Sequence, residues 1–198
     1  MGRLYWPGGA LAAPLPPALI ACGKEEENDC NVLTIAWTGI INTVPPKTYI
    51  SVRPKRHSYA LLKKYGEFTI NLPTASLLRA VDSCGVYTGA KMNKFERFGL
   101  HTEKADKVSA PIIAECPLAL ECRVTDVIPL GSHDMFLADI VGVCVDDALI
   151  DEKGKLHLDR AGLLAFAHGE YFELGKKLGT FGFSVKKKHK HPKNGAHR

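Results

Sequence analysis

Arg53-Pro54-Lys55-Arg56-His57-Ser58 places three cations, an imidazole and a hydroxyl within six residues. The stretch follows a β-branched run at 47–52 (KTYISV) and precedes apolar residues at helical spacing, so it falls at a strand-to-helix junction. A helix N-terminus offers free backbone N–H groups and the positive end of the helix dipole, a combination suited to a phosphate. Taken alone, a basic loop is more often a solvated surface. Other polar residues fall at strand ends: Asn31, Thr34, Trp37 and Thr38 in one segment, Ser51 in the next, then Lys94 and His133. Such a set can converge on one anionic ligand. Individually, Trp37 in an apolar strand reads as core, and His133 after Gly131-Ser132 reads as an exposed turn histidine. No GxGxxG follows a strand, and GxxxxGK[ST], GxSxG and HExxH are absent, which removes the usual support for nucleotide-fold, hydrolase and zinc-protease readings.

These residues need elements to hold them. Residues 31–37 (NVLTIAW) and 47–52 read as two strands joined through the turn-forming Asn42-Thr43-Val44-Pro45-Pro46. Ser58 is placed to cap a helix carrying Tyr59, Leu61, Leu62 and Tyr65, stopped by Gly66. Residues 67–72 read as a strand, and 74–82 and 91–98 as helices punctuated by Gly85, Gly89 and Gly99. Leu118, Leu120, Cys122 and Val124 alternate with Ala119, Glu121, Arg123 and Thr125, the pattern of a half-buried strand. Residues 135–145 are almost wholly apolar and predict a strand covered on both faces, and 163–167 form a further apolar segment. Six or seven strands and three short helices, without β-α alternation, predict a mainly β (α+β) fold: an antiparallel barrel with a few peripheral helices.

At 198 residues the chain supports one hydrophobic core, able to bury roughly 70% of the unfolded surface without disulfides or metal. Its formal charge of +5 is unevenly placed. Residues 186–198 (KKKHKHPKNGAHR) carry six of the 26 Lys and Arg and no acid, leaving 20 basic against 21 acidic residues in the body. A uniformly basic nucleic-acid-binding domain is thereby disfavoured. Six scattered cysteines without a CxxC read as reduced thiols of a cytosolic protein, and no metal site is expected. Leu19-Ile20-Ala21-Cys22 spells a lipoprotein cleavage box, but Pro14, Pro16 and Pro17 break the apolar helix a signal peptide requires. The reading adopted is a proline-rich leader (1–17), a folded domain (18–185) that opens on a buried strand, and a basic disordered tail (186–198).

The run Asn31-Val32-Leu33-Thr34-Ile35-Ala36-Trp37-Thr38-Gly39-Ile40-Ile41-Asn42-Thr43, followed by Pro45-Pro46 and Ser51-Val52-Arg53-Pro54-Lys55-Arg56-His57-Ser58-Tyr59, resembles the flavin reductase family, and most of all its flavoredoxin branch. The likeness continues through residues 68–72, Cys84-Gly85, Lys94-Phe95, 128–136 and His168-Gly169-Glu170-Tyr171-Phe172. The resemblance implies a six-stranded split β-barrel that binds FMN non-covalently, usually as a homodimer. It also implies that Asn31, Thr34, Ala36, Trp37 and Thr38 lie along the isoalloxazine ring and ribityl chain. Ser51, Val52, Arg53, Arg56 and Ser58 would hold the phosphate, Lys94 would contact the flavin, and His133 and Phe166 would lie near the ring. Lys94 or His133 would then be placed to stabilise negative charge on the reduced ring.

The implied function is a flavin-dependent oxidoreductase or electron carrier that receives electrons from NAD(P)H or a redox protein. Within that class the alternative is an NAD(P)H-dependent flavin or ferric reductase. From another class comes a binding module using the basic tail on nucleic acid or an acidic surface, although a solvated tail is the simpler reading of its composition. Neither the leader nor the tail carries a recognisable part of the family pattern.

Overall fold

The computed structural model describes residues 2–185. Strand β1 (Ala18–Lys24) pairs with β2 (Asp29–Ile35) as a hairpin, with Ile20 opposite Leu33. After a two-residue break, β3 (Thr38–Thr43) turns at Val44-Pro45 into β4 (Pro46–Val52). Helix α1 (His57–Tyr65) follows and ends at Gly66, whose φ of 64° only glycine adopts cheaply. Next come β5 (Glu67–Leu72), α2 (Leu78–Val86) and the single-turn α3 (Lys94–Phe98). A short ribbon of β6 (Thr102–Glu103) and β7 (Ile112–Ile113) leads to the long hairpin β8 (Leu118–Pro129) and β9 (Asp134–Val145). A second ribbon, β10 (Leu164–Ala167) and β11 (Glu170–Glu173), holds the last two strands among the described residues.

Seven strands form one antiparallel sheet in the order β2-β1-β5-β8-β9-β4-β3. Its two edge strands, β2 and β3, are consecutive in the chain and separated only by Ala36 and Trp37. The three Cα–Cα steps from Ile35 to Thr38 span at most about 11 Å, so the sheet must curl until its edges meet. The result is a barrel closed by covalent connection at one seam and open beside it. Residues 29–43 act there as one strand broken at Ala36-Trp37, which reconciles a six-stranded barrel with seven hydrogen-bonded segments.

The barrel interior is apolar: Ile20, Cys22, Ile50, Phe68, Cys122, Phe136 and Ala138 are all inaccessible to solvent and pack as one cluster. Truncating Phe68 or Phe136 to alanine would cost about 3–5 kcal/mol. A second cluster, with Leu19, Val32, Val81, Cys84, Phe95 and Ile113, seats α2 and α3 on the outside of β1 and β2. β1 is therefore covered on both faces, as its continuous apolar run predicts.

Three local expectations are corrected. Ser58 does not cap α1; Arg56 holds the N-cap position without a side-chain cap bond, and Ser58 is buried in the first turn. β9 is not covered on both faces: Phe136 and Ala138 are buried, but Val143 and Cys144 are exposed because this hairpin extends beyond the core. On β8 the supposed polar face is also partly buried, with Ala119 and Glu121 under the loop 105–112 and the Lys107 backbone N–H donating to Glu121 Oε2 at 2.5 Å. Among the described residues no helix is long and apolar enough to cross a membrane. The basic tail lies outside the described residues.

Candidate functional site

The open side of the barrel carries a groove with two arms. The first, of about 270 Å³, lies between β2 and the end of β4 and is lined by residues 33–37, Ser51, Val52, Arg53, Arg56, His133 and Phe166. Thr34 and Val52 stand on strands that are neighbours in the curled sheet but do not pair, which leaves a gap between staves. The backbone N–H of Ser51 donates to the Trp37 carbonyl at 3.0 Å and pins the rim where the broken strand turns. Phe166 enters from the outer ribbon, its ring edge-on to Tyr171 at 5.2 Å between centroids. The proline-rich leader holds that ribbon in place: Leu15 and Phe166 exchange both backbone hydrogen bonds, at 2.9 and 2.8 Å.

The second arm, of about 230 Å³, continues from the first through Leu33, Arg53 and Arg56. It ends against the start of α1 and the loop Tyr87-Thr88-Gly89, with Asn31, Lys55, Ser58 and Lys94 in its walls. No carboxylate lines either arm. Asn31 Nδ2 donates to Ser58 Oγ at 2.7 Å, tying β2 to the first turn of α1. Gly89 lies against this pair: a Cβ there would fall 2.2 Å from Asn31 Oδ1, so the loop closes the arm only because residue 89 has no side chain. First-turn N–H groups of α1 have neither a side-chain cap nor an acidic neighbour, the condition in which a helix start attracts an anion.

Lys94 is the most telling residue of this arm. Its side chain is 2% exposed, and its Nζ donates to the carbonyls of Val32 and Cys84, both at 2.9 Å. Neither acceptor carries a charge. Burial, with the Arg56 guanidinium as a lesser cause, holds the ammonium below the ordinary lysine range. A buried cation with only neutral acceptors is stabilised by an anion arriving in the adjoining space. His133, at the mouth of the first arm, is also held below its usual value, first by burial and then by Arg53 and Arg56. Its Nε2 accepts from Arg53 Nε at 3.4 Å and its Nδ1 lies 2.9 Å from Ser132 Oγ. A neutral ring with its proton on Nδ1, donated to Ser132, satisfies both contacts.

Of the residues picked out from sequence, Thr34, Ala36, Trp37, Ser51, Val52, Arg53, Arg56, His133 and Phe166 line the first arm, and Asn31, Ser58 and Lys94 the second. Thr34 keeps its hydroxyl on the Val81 carbonyl and so presents only its remaining surface. Thr38 lines neither arm; it is buried, with its hydroxyl donating to the Tyr49 carbonyl at 2.6 Å. Lys94 stands at the cationic end rather than beside Trp37. Sequence reasoning missed the Tyr87-Thr88-Gly89 wall. Gly89 registers there only as punctuation, since nothing in its local sequence indicates which strand the loop will touch.

A family model described as "Flavin reductase like domain" matches residues 11–175. The chain belongs to the flavin reductase-like family. That match takes in the end of the leader, in keeping with the Leu15–Phe166 bridge. Flavoredoxin of Desulfovibrio vulgaris (Miyazaki F) superposes with a TM-score of 0.86 at 27% identity, over 93% of this chain and 100% of that one. An FMN-binding protein from Thermus thermophilus, solved with bound 1-cyclohex-2-enone, gives a TM-score of 0.75 at 25% identity, over 90% and 99% of the two chains. An uncharacterised protein of Archaeoglobus fulgidus is 36% identical over 144 residues, 73% of this chain and 80% of its own. The fold is thus the split barrel of flavin reductase-like proteins, and this member is a flavin-binding protein. Its groove suits a flavin: one arm is walled by Trp37, Phe166 and apolar strand residues, and the other is cationic and bounded by a helix start.

Proposed function

We propose that the protein is an FMN-dependent electron carrier of the flavoredoxin type, with the ring in the aromatic arm and the phosphate in the cationic arm. The observation that carries this reading is the two-armed groove itself: an apolar slot joined, through Arg53 and Arg56, to an acid-free pocket at the start of α1. FMN ends in a phosphate dianion, and charge-assisted hydrogen bonds to arginine are about twice as strong as neutral ones. Bound flavin supplies a centre that accepts electrons singly or as hydride. Trp37 and Phe166 add apolar area and keep water from the ring face, and Asn31 holds Ser58 toward the phosphate end. Arg53 reaches both arms and is fixed by His133 at the mouth.

The free cysteines fit a reducing, cytosolic setting. Exposed Ile40, Ile41 and Val44 on and beside edge strand β3 fit a homodimer, which light scattering on the purified protein tests.

Purified protein is expected to be yellow, or to take up FMN stoichiometrically and absorb near 450 nm, as flavins do. Colourless protein that ignores added FMN would rule the reading out. Rapid mixing with NADH and NADPH then separates the carrier from a reductase: slow bleaching supports the carrier, and fast bleaching with release of reduced flavin replaces it with the NAD(P)H-dependent flavin reductase.

A further inference from the structure

Strand β11 ends at Glu173, and residues 174–185 are tied to the body at their start. The Leu174 N–H donates to the Leu163 carbonyl at 3.0 Å, and Lys177 Nζ reaches Asp159 Oδ2 at 3.0 Å. Every large apolar side chain of this stretch (Leu174, Leu178, Phe181, Phe183 and Val185) is exposed, Leu178 and Phe181 almost wholly. Single exposed apolar residues need no explanation, but five within twelve residues form a surface that gains nothing from the barrel core. The family match stops at residue 175, so most of the stretch lies outside the shared barrel.

Charge gives this surface a direction. From Lys176 to Arg198 the sequence holds seven Lys, one Arg, three His and no acid, and six of the eight Lys and Arg fall directly after Val185. A basic run by itself is ordinarily a solvated one. Here it adjoins exposed aromatic and aliphatic side chains, and that pairing selects the partner. Nucleic acid would take the lysines on its phosphates and could stack bases on phenylalanine, but it would leave Leu178 and Val185 in water. An anionic bilayer takes both kinds: lysines meet the lipid phosphates and carboxylates, and apolar side chains enter the boundary between headgroups and acyl chains. Clusters of about four to eight Lys and Arg are the size such surfaces hold. Lysine, a point charge without a fixed hydrogen-bonding fork, suits a fluid headgroup layer.

We propose that residues 174–185 and the basic run after them dock the protein on an anionic membrane surface, with Phe181 and Phe183 entering the headgroup boundary and the lysines meeting lipid headgroups. Apolar insertion and charge attraction add, so that two modest signals give reversible attachment. The docking stretch continues directly from the ribbon whose Phe166 walls the groove, which keeps the barrel close to the surface. Such docking does not depend on what the groove holds. With flavin there, it puts an electron carrier beside the bilayer.

Vesicle sedimentation of the purified full chain tests this. With vesicles of phosphatidylcholine containing about 30% phosphatidylserine, at about 0.15 M salt, the native chain is expected to sediment. With phosphatidylcholine alone it is expected to stay in solution, and raising the salt to about 1 M should release it from the anionic vesicles. F181A/F183A and K186Q/K187Q/K188Q should each weaken binding to the anionic vesicles by at least about tenfold. Neither variant touches the barrel core, so both are expected to fold, which circular dichroism and thermal unfolding check. Native protein that ignores the anionic vesicles overturns the proposal. So does equal binding to neutral vesicles, or an alanine pair bound as tightly as the native chain. Duplex DNA retained at the same salt by a chain that ignores vesicles assigns the basic run to nucleic acid instead. An alanine pair that changes the oligomeric mass in light scattering, without vesicle binding by the native chain, assigns the phenylalanines to a contact between copies.

Discussion

Arg53 differs from the other cations of the groove because it lines both arms and has its guanidinium held by His133. Arg53→Ala and Arg56→Ala are each expected to weaken FMN binding by at least about tenfold, the worth of a charge-assisted hydrogen bond to phosphate. Fluorescence titration measures it, and equal affinity in both variants would remove them as anchors. Lys94 makes a pH prediction. Its folded-state pKa lies below the ordinary lysine value near 10.5, so the flavin-free fold binds fewer protons than the unfolded chain in the window between the two. Stability of the flavin-free protein from this group therefore rises with pH through that window. Flavin affinity runs the other way, falling as pH rises through the lowered pKa, because the phosphate needs the charged form. Lys94→Met should abolish the pH-dependent part of FMN affinity in that range; a titration curve unchanged by the substitution would exclude the lysine.

At the scale of elements, the site depends on what loops and ribbons bring to the strands. Gly89→Ala would push a methyl group into Asn31 and displace the bond that ties β2 to α1. The expected cost is about 1–3 kcal/mol in stability, from disturbing buried polar partners, together with weaker FMN binding; thermal unfolding and titration measure the two. Leu15→Pro removes the N–H that the leader donates to the Phe166 carbonyl. Its expected effect is a severalfold faster release of FMN with a small change in melting temperature, and unchanged release would mean that the ribbon holds Phe166 without the leader. The strands themselves were legible from sequence because period-two alternation and β-branched runs are local signals: β1, β5 and β8 begin within a residue or two of where the pattern puts them. Most of the groove was legible too, since its residues come from segments carrying the family resemblance. Thr34 and Ser58 show the limit. Whether a hydroxyl faces a ligand, a carbonyl or a helix cap depends on packing across the molecule, as with Thr34 on Val81 and Ser58 on Asn31. The second face of β8 shows the same limit, because a distant loop packs on Ala119 and donates its Lys107 backbone N–H to Glu121.

For the whole molecule, the distribution of charge matters more than its total. The cations of the groove form no ion pair among the described residues, so their field reaches solvent unneutralised. The association rate of FMN is therefore expected to fall severalfold between about 0.01 and 1 M salt, where the Debye length shrinks from about 30 to 3 Å. Stopped-flow quenching measures it; a salt-independent rate would mean that the field does not steer the ligand. The closure of the barrel has a further consequence. Between β2 and β4 the sheet has neighbouring staves but no ladder, and one backbone bond, Ser51 to Trp37, spans the rim. Amides along the free edge of β2 thus lack the protection that interstrand pairing gives those of β1 and β5, and hydrogen exchange should begin there. A flavin bound as proposed would take the place of the missing rungs, and its release and the breathing of the barrel would then be one motion.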